Sequence, residues 1–206
     1  MSRTPILTTI QQLRNPVFTT FELIALSGKS ASVVTQGLNN LLKTGFLSKI
    51  YRGVWMRTGS GRVSLYTIVP YLFPRQRAYV SFISALHLHG IIEQIPQVVT
   101  VASLAHTRTV RTAIGTFAVH RITPALFSGF SWYKEEGSFL IAEPEKALVD
   151  SLYLSACRKR QFGHFPELHF SKQFDFKKAY GWAVRIPNVR VRAYVKLKLD
   201  ALRVGR

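Results

Sequence analysis

The sequence predicts an α+β chain, and three stretches carry that prediction. Residues 19–57 read as helix, tight turn, helix and hairpin. Residues 98–141 string short β-branched and aromatic runs between turn residues, which favours strands. Residues 144–203 return to apolar positions three and four apart, which favours helices. The expected division is a helical N-terminal domain over residues 1–70 and a mixed α/β C-terminal domain over 71–206 that ends in a basic helical tail.

Thr4-Pro5 opens the first helix with proline in its favoured first position, and Ile6, Leu7, Ile10 and Leu13 recur at helical spacing. Asn15-Pro16 ends it. Thr19 or Thr20 can cap a second helix holding Phe21, Leu23, Ile24 and Leu26, which Gly28 terminates. Ser30 can cap the third. At about 100° per residue, Ala31, Val34, Leu38, Leu41 and Leu42 then share one side. Ser32, Gln36, Asn39 and Lys43 fall in a narrow arc on the other. Gly45 stops that helix, Phe46-Leu47 starts a strand, and Arg52-Gly53 turns the chain back into Val54-Trp55.

One face of the third helix is thus apolar enough to dock on a core. The other carries a hydroxyl, two carboxamides and an ammonium, groups that reach base edges and phosphates. A polar face is also what solvent alone selects. The order helix, turn, helix, basic hairpin favours the nucleic-acid reading, that of a winged helix-turn-helix. On it, Ser32, Gln36, Asn39 and Lys43 enter the major groove, Lys29 and Arg57 hold the backbone, and Tyr51 and Arg52 lie on the wing.

Residues 59–76 read as a linker, with Gly59-Ser60-Gly61-Arg62 flexible and Leu65 to Phe73 broken by Pro70 and Pro74. A helix is expected from Tyr79 to His89, then a strand at Val98 to Val101. A hairpin turns at Ile114-Gly115. Strands at Phe130 to Tyr133 and Phe139 to Ile141 surround Glu135-Glu136-Gly137. A helix opens at Pro144 and runs to Leu154. Asp175 can cap a helix with Ala179, Trp182 and Ala183. After Pro187-Asn188, Val191, Val195, Leu199 and Leu202 define a last helix decorated by Arg190, Arg192, Lys196, Lys198 and Arg203.

The net charge of +18 sets 28 Lys and Arg against ten Asp and Glu. It is concentrated at both ends: +7 over residues 1–70, +1 over 71–157 and +10 over 158–206. Such a field favours polyanions, with nucleic acid first (double-stranded DNA on the winged-helix reading) and an acidic protein or anionic membrane after it. The basic last helix is therefore a second DNA or partner contact, or a solvated face. The single Cys157 excludes an internal disulfide and suits a reducing compartment. No apolar run has the length of a membrane span, and Met1 to Leu7 lacks the apolar stretch of a secretory signal, so a cytoplasmic protein is expected.

The central segment also resembles a known family. The carriers are Ser84-Ala85-Leu86-His87-Leu88-His89-Gly90, Ile95-Pro96-Gln97-Val98-Val99-Thr100-Val101, Arg108-Thr109-Val110-Arg111-Thr112 and Ile114-Gly115-Thr116-Phe117. They continue through His120-Arg121-Ile122 to Ala142-Glu143-Pro144-Glu145-Lys146-Ala147 with Asp150 downstream, the most specific piece. In this order they resemble the antitoxins of AbiE-type abortive-infection toxin–antitoxin systems and the transcriptional regulators related to them. The resemblance covers most of residues 5–155; the basic tail is less typical. It implies an N-terminal domain that binds repeats in its own promoter and represses it. It also implies a C-terminal domain that counteracts a nucleotidyltransferase-like toxin, without a stable toxin–antitoxin complex being required.

The rival reading is enzymatic. Glu143, Glu145 and Asp150, with Lys146, have the residue types of a metal-dependent nuclease. On a helix, however, Lys146 and Asp150 are four apart and can simply pair, and Glu143 meets the helix dipole. His87, His89, His106 and His120 invite a metal, but His87 and His89 are two apart and point to different sides of a helix. Ser84 and Cys157 lack nucleophile signatures, and no glycine-rich phosphate loop is present. The expectation is a non-enzyme with no metal and no cofactor. A stand-alone transcriptional regulator without a toxin, and an adaptor whose basic tail docks an acidic partner, remain alternatives.

Overall fold

Local caps set the first helices. The computed structural model describes residues 5–61, 63–74, 77–133, 139–157 and 166–204. Helix α1 spans Ile6–Gln12 and strand β1 spans Val17–Thr19. Helix α2, Thr20–Ser27, starts from a reciprocal capping box: the Glu22 amide donates to Thr19 Oγ1 at 3.1 Å, and the Thr19 amide donates to Glu22 Oε2 at 2.6 Å. Thr19→Ala removes one side of that box. It should cost α2 about 1 kcal/mol, read as faster hydrogen exchange at the Leu23 and Ile24 amides.

Helix α3 spans Ala31–Lys43, and β2 (Leu47–Tyr51) and β3 (Val54–Arg57) form the hairpin after it. The three strands make one sheet in the order β1-β3-β2, antiparallel throughout. Ile10, Phe18, Leu23, Val34, Leu38 and Trp55 form the core between sheet and helices. Val17 and Phe18 lie between Pro16 and the capping Thr19. Their pairing with Met56 and Trp55 makes them a strand, too short for periodicity to reveal.

The linker expected over 59–76 is largely folded. Leu65–Ile68 is a 3-10 turn that runs into α4, Val69–Leu72. Ile68 and Val69 are fully buried, and the Asn15 amide donates to Tyr71 Oη at 3.0 Å. Pro70, read as a breaker, sits in the first turn of α4, where a missing N–H is no loss. The first compact unit accordingly comprises residues 1–74 with the hairpin tip 111–115, and the second comprises 75–110 and 116–206.

In the second unit, β4 (Ala78–Val80) precedes α5 (Phe82–Leu88). This corrects the single helix expected from Tyr79. Tyr79 and Val80 pair with β5 (Val99–Ser103), and Val80 also pairs with β9 (Phe139–Ala142), so these large residues enter the sheet. Strands β6 (Arg108–Arg111), β7 (Thr116–Arg121) and β8 (Phe130–Tyr133) complete a mixed sheet in the order β6-β7-β5-β4-β9-β8. Pairing is parallel at β5–β7 and β4–β9 and antiparallel at β4–β5 and β8–β9. The turn at Glu135-Glu136-Gly137 lies outside the described residues.

Helix α6, Pro144–Cys157, packs against α5, α7 (Phe176–Val184) and α8 (Val189–Val204). Covered on several sides, it buries ten of the eleven positions from Glu145 to Ser155, all but Tyr153, including Lys146 and Asp150. Asp175 caps α7 by accepting from the Lys177 amide at 2.8 Å, and Asn188 accepts from the Val191 amide at 3.1 Å at the start of α8. No helix among the described residues is long and apolar enough to cross a membrane.

Candidate nucleic-acid interface

Helix α3 is held at both ends by short-range chemistry. Gly28 adopts a left-handed φ of 63°, where a Cβ would strain the backbone, and its amide donates to the Ile24 carbonyl at 3.1 Å. Ser30 Oγ then accepts from the Val33 amide at 3.5 Å. At the far end Gly45, with φ 76°, lets its own amide reach the Leu42 carbonyl and the Phe46 amide reach the Leu41 carbonyl.

The buried side of α3 is Val34 and Leu38, both fully buried, with Leu41 half-buried. Each fully buried side chain contributes roughly 1.5–3 kcal/mol. Gly37 completes that side: a Cβ there would meet Ile6 Cδ1 at 2.5 Å, so the missing side chain lets α1 sit close. Ala31 and Leu42, expected in the apolar face, are exposed. They lie at the edge of the apolar arc, where a curved helix surface turns away from its support.

The opposite side is a shallow open groove. Ser32, Gln36, Asn39 and Lys43 line it, as the spacing predicted, and all four are exposed. Thr35 and Asn40 line it as well, with Ala31 at the start of the helix. Thr35 and Asn40 were not singled out in the sequence, although the same 100° count puts them on the polar half, and Ala31 was expected on the apolar side. Ser32 Oγ lies 3.1 Å from Ser30 Oγ, so the cap engages it. Among the described residues, no hydrogen bond engages the side-chain amides of Gln36, Asn39 or Asn40. The Asn40 carbonyl accepts from Thr44 Oγ1 at 3.2 Å, a backbone contact that leaves the amide open.

The hairpin is fixed to the same core. Trp55 Nε1 donates to Thr20 Oγ1 at 2.9 Å, and the Thr20 amide donates to the Gly53 carbonyl at 2.9 Å. Arg52 and Tyr51 are exposed at the turn, where Gly53 takes a φ of 73°. Lys49 was missed in the sequence; it is exposed, with Nζ 5.4 Å from the Trp55 ring centre. Lys29 is half-exposed in the turn before α3. Arg57 is the last residue of β3. It pairs opposite Leu47 at the end of the hairpin away from Arg52, is half-buried, and its amide donates to the Pro16 carbonyl.

The basic last helix divides its charges. Arg190, Lys198 and Arg203 are exposed and Lys196 is half-exposed. Arg192 turns inward, donating to the Ile186 carbonyl at 3.2 Å and lying 3.5 Å from the Val184 carbonyl, which satisfies the end of α7. Val195 and Leu199 are buried as the spacing predicted, but Val189, Leu197 and Val204 are exposed at 66, 67 and 83%. The outer face of α8 is therefore apolar as well as basic.

The carboxylates of the rival reading split into two networks. Asp150 is fully buried, paired with Lys146 and accepting from Tyr79 Oη at 3.0 Å and Ser81 Oγ at 2.8 Å. Lys146 Nζ also donates to Tyr79 Oη at 3.0 Å. Burial pushes the Asp150 carboxyl up and the Lys146 ammonium down, and each partner's charge offsets part of that. Burial, then the Asp150 charge, holds the Tyr79 hydroxyl well above its ordinary value. Glu143 and Glu145 instead meet Lys178 at 3.0 and 3.4 Å, and Glu145 accepts from the Asp175 amide at 3.1 Å. Asp150 thus lies in one network, and Glu143 and Glu145 in the other.

The histidines do not converge either. His89 Nε2 lies 2.7 Å from the Ala142 carbonyl, His87 Nδ1 lies 3.4 Å from the Ile92 carbonyl, and the His120 ring stands edge-on to Phe82. Among the described residues no group of three His, Cys, Asp or Glu could hold a metal ion. No family model matches this chain, and no curated protein matches it.

Proposed function

We propose that the first unit is a winged helix-turn-helix that binds double-stranded DNA, with α3 in the major groove and the β2–β3 hairpin as the wing. The observation that carries this reading is the outer face of α3. It holds unengaged carboxamides and an exposed lysine on a helix fixed at both ends and packed on its other side. Groups ready to hydrogen-bond, on a rigid element, are what base readout needs. Helix, strand, helix, helix and hairpin in this order, with the sheet order β1-β3-β2, support the winged assignment. Arg52 and Lys49 on the hairpin, Lys29 before α3 and Lys43 at its end would meet phosphates. Arg190, Lys196, Lys198 and Arg203 would form a second DNA or partner contact.

The central segment's resemblance extends the proposal. The chain is an AbiE-type antitoxin that represses its own promoter and counteracts a nucleotidyltransferase-like toxin. Repression of a reporter under the chain's own promoter tests the first half. Growth rescue on co-expression with a nucleotidyltransferase-like product encoded beside it tests the second. Repression without rescue would leave a stand-alone regulator, and neither would sink the reading.

Lys43→Ala gives a physical check. Affinity should fall for every duplex alike, and the slope of log K against log salt should flatten by about one unit. Titrations at three or four salt concentrations read this directly. A slope unchanged in Lys43→Ala would remove Lys43 from the phosphate contacts.

A further inference from the structure

Resting on the DNA-binding reading above, we infer that the α3 face selects A·T base pairs in the major groove. The inference comes from which groups are present on that face and which are absent. Adenine shows the major groove an acceptor and a donor side by side, N7 and N6–H₂, and a side-chain carboxamide is the matching donor and acceptor. The face carries three: Gln36, Asn39 and Asn40. Thymine shows a methyl group, which small apolar side chains and the threonine methyl contact. Ala31 and Thr35 supply those in the same groove.

Guanine shows two acceptors, O6 and N7, and calls for the paired donors of arginine or the ammonium of lysine. Helix α3 contains no arginine. Its only cation, Lys43, is the last residue of the helix, C-terminal to all three carboxamides, and is assigned to a phosphate above. Cytosine's amino group calls for a carboxylate, and α3 has none. The first arginine along the chain after the helix, Arg52, sits on an exposed hairpin turn. A wing arginine is attracted to the narrow minor groove of A-tracts, so the flank would reinforce the same base class.

The test uses the whole chain and a random duplex library, with the enriched site then rebuilt from base analogues. The expected site has a core of A·T pairs. Replacing its adenines with 7-deazaadenine, which removes N7, should weaken binding by about tenfold per contacted base. Replacing thymine with uracil, which removes the methyl, should weaken it by a smaller factor. Replacing guanine with 7-deazaguanine should change it less than about twofold. Asn39→Arg should move the preference at one position from adenine to guanine. A G·C core whose binding collapses with 7-deazaguanine would overturn the A·T inference and leave DNA binding standing. A library with no enriched duplex, and no salt-dependent binding to any member, would overturn both.

Discussion

Lys146→Met should destabilise the second unit by about 3–5 kcal/mol, the cost of leaving one member of a buried ion pair alone. Asp150 is fully buried, and its other partners, Tyr79 and Ser81, are neutral hydroxyl donors that cannot replace a positive charge. A domain's whole stability is about 5–15 kcal/mol, so the loss is a large share of it. Hydrogen exchange along α6 reads it without interference from the first unit.

The pH dependence identifies the cause. In Lys146→Met the cation that offsets burial is gone, so the Asp150 carboxyl rises further above its ordinary value of 3.8. A folded-state value above the unfolded one means that the folded chain holds the proton more tightly. The variant should then be most stable below the unfolded carboxyl value and should lose stability as pH rises through the folded one. A deficit that stays flat with pH would mean lost packing, not an orphaned charge. Adding Asp150→Leu should recover only part of the loss, because Tyr79 Oη and Ser81 Oγ would lose their acceptor at about 1–3 kcal/mol each.

Lys146 and Asp150 also show what the sequence makes legible. Their pairing is local, four apart on one helix, and follows from spacing alone. Their burial is not local: Tyr79 and Ser81 come from 71 and 69 residues away. The same line separates the other elements. Thr19, Gly28, Ser30, Gly45 and Asp175 end or cap helices through contacts within a few residues, and each was readable. The strands at Val17–Thr19 and Ala78–Val80 exist because distant partners pair with them, and three residues carry no periodicity. Leu65 to Phe73 reads as linker because Pro70 interrupts it and Pro74 follows it, yet its apolar side chains find a core. On α3 the periodicity located Ser32, Gln36, Asn39 and Lys43. It misjudged Ala31 and Leu42, because an arc counted from the axis says nothing about where the supporting surface ends. The inward turn of Arg192 was likewise illegible, since charge alone does not show which cations the fold uses for its own carbonyls.

Gln36→Ala with Asn39→Ala should remove most of the sequence selectivity, sparing what Asn40 and the thymine-methyl contacts supply, while leaving the fold and the non-specific affinity in place. Each matched carboxamide contact discriminates by about 1–3 kcal/mol, so the pair together is worth roughly 2–6 kcal/mol between the preferred site and a scrambled one. Non-specific binding comes from phosphates met by cations, which neither substitution touches. The helix should survive. Both side chains are exposed, alanine is the better helix former, and Val34 and Leu38 keep their burial. Competition titrations of specific against scrambled duplex, with circular dichroism as the folding control, make the measurement. The specific affinity should fall most of the way toward the non-specific level, and the salt slope, unlike that of Lys43→Ala, should keep its phosphate contribution. An unchanged footprint with unchanged selectivity would mean that α3 does not read bases. Equal loss on every duplex with the helix intact would mean that the amides hold phosphates instead.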